Sequence, residues 1–101
     1  MYLYSVNKEF IIQQLRAMKP LLSKEYGVKE IALFGSYSRD EATPKSDIDL
    51  FISFEKPSAN SLFSSFDLLQ ECFGSTPVQI VTKGAIKPHY FEAIKDDLIY
   101  A

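Results

Sequence analysis

Residues 35–52 read GSYSRDEATPKSDIDLFI, and the two ends of this stretch set the architecture. From Asp47 to Phe54 the side chains alternate. Ile48, Leu50, Ile52 and Phe54 fall on one side, and Asp47, Asp49, Phe51 and Ser53 on the other. A period of two predicts a strand. At the other end Ile31 to Phe34 predicts a short apolar strand ending at Gly35. Ser36 to Ala42 between them predicts a short helical turn, closed by Thr43-Pro44.

Working outward, Asn7 to Tyr26 carries Phe10, Ile11, Leu15, Met18, Leu22 and Tyr26 at helical spacing, with Asn7 or Ser5 as cap. Pro20 predicts a kink or a division of this helix, and Gly27 its stop. Downstream, Lys56 to Asn60 predicts a loop. Ser61 opens a helix with Leu62, Phe66, Leu69 and Phe73 on one face, ended by Gly74. Val78 to Val81 predicts a third strand, Pro88 to Asp97 a last helix with proline in its first turn, and Leu98-Ile99-Tyr100 an extended tail. The expected fold is α+β, a layered arrangement with a small mixed sheet of about three strands flanked by helices. Residues 1–101 form a single domain.

Composition narrows the function classes. With 11 basic and 13 acidic residues the net charge is −2, and no basic patch stands out beyond Lys83 with Lys87. Nucleic acid as main partner is not expected, because such binding rests on neutralised phosphates. No apolar run reaches the roughly 20 residues of a membrane span, and MYLYSVNKEF lacks the pattern of a secretory signal. A single cysteine, Cys72, excludes an internal disulfide and fits a reducing cytoplasm, the expected location. In LLQECF it reads as a core filler. His89, the one histidine, reads as a surface residue.

Asp47 and Asp49 stand two apart on one strand, so they project from one face at roughly 6.5–7 Å backbone separation. Such carboxylates can share divalent ions lying about 3.5–4 Å apart, an arrangement used for in-line displacement at phosphorus. All-oxygen ligands suit Mg2+ or Mn2+. Gly35 after an apolar strand lets backbone N–H groups approach a phosphate. Ser36 adds a hydroxyl, and a helical turn beginning there points its positive end the same way. Arg39, three residues on, is placed to pair with phosphate oxygens. Taken singly, a Gly-Ser turn or an Asp-x-Asp pair is also what ordinary turns and solvated strands contain; the combination is the signal.

Gly-Ser, ten residues, then Asp-x-Asp resembles the signature of the DNA polymerase β-like nucleotidyltransferase superfamily, and at this length its minimal nucleotidyltransferase (MNT) branch. The likeness is specific from Ile31 to Phe54 and looser through Val78 to Thr82 and Ile86 to Tyr100. It implies transfer of a nucleoside monophosphate from a Mg2+-bound triphosphate, ATP, to a hydroxyl. Gly35, Ser36, Arg39 and Ser46 would then bind the nucleotide, and Asp47 and Asp49 would be the catalytic, metal-binding pair. One departure weakens the match: the family places a third carboxylate on the third strand, where this chain has Val78-Gln79-Ile80. Glutamine can offer an oxygen but cannot accept a proton at neutral pH, although Gln79 also reads as a plain polar residue on an exposed edge strand. A weakened base favours an acceptor that ionises readily, and a phenol, with a pKa of about 10, does so far more easily than an alcohol.

MNT proteins of this size resemble the antitoxin half of pairs whose toxin is a helical HEPN-type ribonuclease, silenced by adenylylation of a tyrosine. The resemblance implies such a toxin as partner, in a hetero-oligomer. Phe63, off its helix's apolar stripe, and Tyr2-Leu3-Tyr4 are candidate interface aromatics, though the six Tyr and eight Phe also suit a core. The competing expectation is a catalytically weakened or inactive domain that neutralises its partner by binding alone. Transfer to a small molecule is disfavoured, because no substrate-binding domain is expected beside the motif.

Overall fold

The computed structural model describes residues 6–101. Its elements are α1 (Lys8–Tyr26), β1 (Val28–Phe34), β2 (Ile48–Phe54), α2 (Ala59–Phe73), β3 (Val78–Thr82), α3 (Pro88–Ile94), a 3-10 turn at Lys95–Asp97, and β4 (Ile99–Tyr100). Asn7 caps α1 by accepting from Phe10 N at 2.8 Å. Gly27 ends it in the left-handed region (φ 71°), its N–H turned back onto the Leu22 and Ser23 carbonyls. Pro20 neither divides nor ends α1. It lies on the exposed side, where the carbonyl left without a donor can take water. Ser5 and Tyr2-Leu3-Tyr4 lie outside the described residues.

The sheet has four strands, in the order β3-β2-β1-β4, one more than expected. β1 runs antiparallel to β2 and to β4, and β2 parallel to β3. The fourth strand is the expected extended tail, which lies along β1 with Tyr100 opposite Ala32 and Ile99 opposite Leu33. Two residues of pattern predict extension but not a partner. Other boundaries shift for local reasons. β1 begins at Val28, with a register shift between Val28 and Glu30. α2 begins at Ala59, because Ser58 caps it by accepting from Ser61 N at 3.0 Å. α3 ends at Ile94, and the 3-10 turn covers the rest of its expected span.

α1 and α2 cover one face of the sheet. There Ile11, Leu15 and Leu22 of α1 meet Ile31, Leu33, Ile48, Leu50 and Ile52, with Leu69 of α2, and all are fully buried. Burial stabilises by about 1.5–3 kcal/mol for each side chain of this size. The other face carries a smaller cluster of Ala32, Phe34, Phe51 and Ile94, with Val81, Ile86, Phe91 and Leu98 packed against it. β2 is thus apolar on both sides except at Asp49 and Ser53, which share the smaller face with Phe51. Cys72 is half-buried, its Sγ 3.6 Å from Gln14 Oε1. Phe63 is 65% exposed. Among the described residues no helix is long and apolar enough to cross a membrane.

Candidate active site

Antiparallel pairing of β1 with β2 brings the two ends of the motif together. Phe34, the last residue of β1, stands opposite Asp49, so the chain leaving β1 passes directly over that side chain. Gly35 has φ 81°, and a Cβ there would lie 3.2 Å from Asp49 Cγ and 3.3 Å from its Cβ, with Oδ2 nearer still. Two requirements, a left-handed backbone and contact with the carboxylate, therefore fall on one residue.

Residues 36–40 make a short run of hydrogen-bonded helical turns, as expected, that does not extend into a helix. The Gly35 carbonyl accepts from Ser38 Oγ (2.8 Å), Ser38 N (3.1 Å) and Arg39 N (3.3 Å), and the Ser36 carbonyl from Arg39 N (3.2 Å) and Glu41 N (2.9 Å). Asp40, at φ 59°, interrupts any helical continuation, so no helix macrodipole is available here. Tyr37, 8% exposed, anchors the turn in the core beneath α1. The chain then turns at Thr43-Pro44-Lys45-Ser46. Ser46 N donates to Thr43 O at 2.9 Å, and Ser46 Oγ accepts from Thr43 N at 2.8 Å. The Ser46 hydroxyl is thus engaged in the turn that delivers Asp47, immediately before β2.

Gln79 lies opposite Asp49 in the parallel β2–β3 register. Its Nε2 donates to Asp47 Oδ2 at 2.6 Å, so an amide bonded to one aspartate stands beside the pair. Among the described residues no three His, Cys, Asp or Glu side chains gather as a metal site. Burial first, and then the charge of Asp47, push the Asp49 carboxyl above the ordinary carboxylate range, while Arg39 pulls it down. A pair that resists holding both negative charges is one a divalent cation would relieve. The donors are carboxylate oxygens, so they fit Mg2+ or Mn2+.

Arg39 is near enough for Asp49 to feel its charge, but its guanidinium is held elsewhere. Nη1 lies 2.6 Å from Asp97 Oδ2, and Nε 3.1 Å from Glu41 Oε1. The structure thus brings Gly35, Asp47, Asp49 and Gln79 together and sets Arg39 at their rim. Sequence reasoning missed Tyr37, whose position inside the motif was the available signal, and Asp97, for which there was none. A hollow of about 620 Å³ lies at the opposite end of β2, lined by Ser53, Phe54, Ser58 and Lys83.

The family model described as a nucleotidyltransferase domain matches residues 15–101. A relative in Methanocaldococcus jannaschii, provisionally named as a protein adenylyltransferase, is 47% identical over 88 residues, 85% of this chain and 89% of its own. The protein adenylyltransferase MntA of Thermococcus cleftensis is 31% identical over 86 residues, 85% and 87% of the two chains. Among solved structures, one described as a minimal nucleotidyltransferase superposes with TM-score 0.78 at 25% identity, over 93% of this chain and 95% of that one. An MNT antitoxin in complex with a tri-AMPylated HEPN toxin of Shewanella oneidensis shares the fold, with TM-score 0.65 at 15% identity over 92% and 70%.

Proposed function

This chain belongs to the nucleotidyltransferase domain family, and from that premise we propose that it transfers AMP from ATP to a protein hydroxyl, a tyrosine of a HEPN-type ribonuclease toxin, as its antitoxin. The observation that carries this reading is the Asp49 carboxylate lying under the Gly35 backbone with Asp47 beside it. The phosphate turn and the acidic pair are thereby one site. The relatives named as protein adenylyltransferases support a protein acceptor, and the HEPN complex of a structural neighbour supports the class of partner.

In the reaction the acceptor oxygen gives up its proton to water and attacks the α-phosphorus, the bond to the bridging oxygen breaks, and pyrophosphate leaves. Asp47 and Asp49 would hold Mg2+, which neutralises phosphate charge when bound. Gly35 and Ser36 approach the triphosphate oxygens, and Arg39 meets them from the rim. Gln79 holds Asp47 in place through Nε2 and takes no proton. A phenol suits this site, because its proton leaves more easily than that of an alcohol.

The experiment incubates the purified toxin with this protein, ATP and Mg2+, and weighs the toxin by mass spectrometry. Addition of AMP that Asp47→Asn abolishes is the expected result. The Gln79–Asp47 hydrogen bond at 2.6 Å favours one second reading, neutralisation by binding alone, since it occupies an oxygen that a cation would need. In that case Asp47→Asn inhibits the toxin as well as the parent protein does, without nucleotide.

A further inference from the structure

The pairing of β4 with β1 sets Tyr100 opposite Ala32 and Ile99 opposite Leu33. Asp97 closes the 3-10 turn that leads into this strand, with one extended residue, Leu98, between them. Asp97 thus meets the phosphate turn because the last strand runs back along β1, although the two are far apart in sequence. Its Oδ2 is 2.6 Å from Arg39 Nη1, and its side chain is only 21% exposed. Glu41 holds Nε of the same guanidinium at 3.1 Å. Nη2 is engaged by no described residue.

An arginine loses most of its rotamer freedom when it closes on a phosphate, and one already held in place loses less. Two carboxylates on Nε and Nη1 fix the plane of the guanidinium and leave Nη2 for a ligand. The contact to Asp97 is the shorter, and it comes from the better-buried partner. Asp97 also ties the C-terminal segment to the turn that carries Arg39.

We infer that Asp97 is a positioning residue for nucleotide binding: it holds Arg39 by Nη1 so that Nη2 faces the triphosphate beside Asp49. The inference rests on the nucleotide-transfer reading above and names a residue that prepares that site. The opposite role is also chemically sensible, with Asp97 competing against phosphate for Arg39. The sign of one measurement separates the two.

The test is calorimetric titration of a non-hydrolysable ATP analogue with Mg2+ into the parent protein, Asp97→Asn, Asp97→Glu, Arg39→Ala and the Arg39→Ala/Asp97→Asn double variant. Thermal melts check that each is folded. Asp97→Asn is expected to weaken binding about fivefold, the upper end for a partly exposed ion pair. Asp97→Glu restores it, and Asp97→Asn adds nothing once Arg39 is gone. In AMP transfer the loss appears in KM for ATP and leaves kcat. Unchanged or tighter binding by Asp97→Asn, or effects of the two residues that simply add, overturns the inference. If the folded parent protein binds no analogue, the nucleotide reading itself fails. If the parent binds and Asp97→Asn matches it, only the role of Asp97 fails. Should Asp97→Asn not fold, NMR of the Arg39 side-chain N–H groups in the parent protein answers instead. Slow exchange before nucleotide is added is expected, and free exchange overturns the inference.

Discussion

Replacing Gly35 by alanine adds one methyl group where β1 meets Asp49, and it imposes two separable penalties. The first is conformational. At φ 81° an L side chain crowds its own carbonyl, which costs about 1–2 kcal/mol. In a domain of this size about 1 kcal/mol moves Tm by roughly 4–8 °C, so a fall of about 4–15 °C is expected. The second is steric. The new Cβ would sit 3.2 Å from Asp49 Cγ and 3.3 Å from its Cβ. Because Phe34 is tied opposite Asp49, the backbone cannot retreat, and the carboxylate has to swing aside. A misplacement of about 1 Å in a catalytic group costs on the order of 10²-fold in rate. Gly27→Ala is the control, since Gly27 has φ 71° and nothing within 4 Å of the added Cβ. Both variants should melt lower by similar amounts in scanning fluorimetry. Only Gly35→Ala should also lose AMP transfer and the rise in Tm that Mg2+ and ATP bring. Equal transfer by the two variants would refute the claim that Gly35 shapes the site.

Three further outcomes are expected. Asp49 holds its proton more tightly in the folded state than in the unfolded chain, so its contribution to stability is favourable at low pH and declines as pH rises through the raised value. Asp49→Asn should therefore melt higher than the parent protein at pH 7, by a margin that shrinks as pH falls, and gain nothing from Mg2+, all read from melts across pH. Gln79→Asp should lower Tm without metal and tighten Mg2+ binding by about 2 kcal/mol, roughly thirtyfold, the attraction of one added charge for a divalent ion about 4 Å away in water-like surroundings; a titration of Tm against Mg2+ measures it. Ser65 Oγ is buried without a hydrogen-bond partner, so Ser65→Ala should stabilise the protein by about 1 kcal/mol in urea unfolding, relieving an unsatisfied polar group.

Most of the layer order was legible in the sequence, because the alternation after Asp47 and the helical stripes of α1 and α2 depend only on which side of each element is buried. The strand at Ile99–Tyr100 was visible as extended chain but not as a sheet member, since pairing is a property of two segments and the pattern reports one. The motif spacing names Gly35 and Asp49 together, whereas their physical contact comes from the β1–β2 register. Arg39 lies close enough to Asp49 for its charge to act on that carboxyl. Its ties to Glu41 and Asp97 were not readable, because a charged side chain chooses its partner only after the fold sets distant carboxylates beside it.

The antiparallel ladder seats the end of β1 beside the start of β2, and the connection between them is held at its tip by hydrogen bonds of its own. The Thr43–Ser46 turn hangs at that tip, with Pro44 and Lys45 exposed. Closing a loop of doubled length costs only about 0.6 kcal/mol more. A peptide spliced in between Pro44 and Lys45 would therefore cost little in closure, but it would part Thr43 from Ser46 and loosen the turn from which Asp47 enters β2.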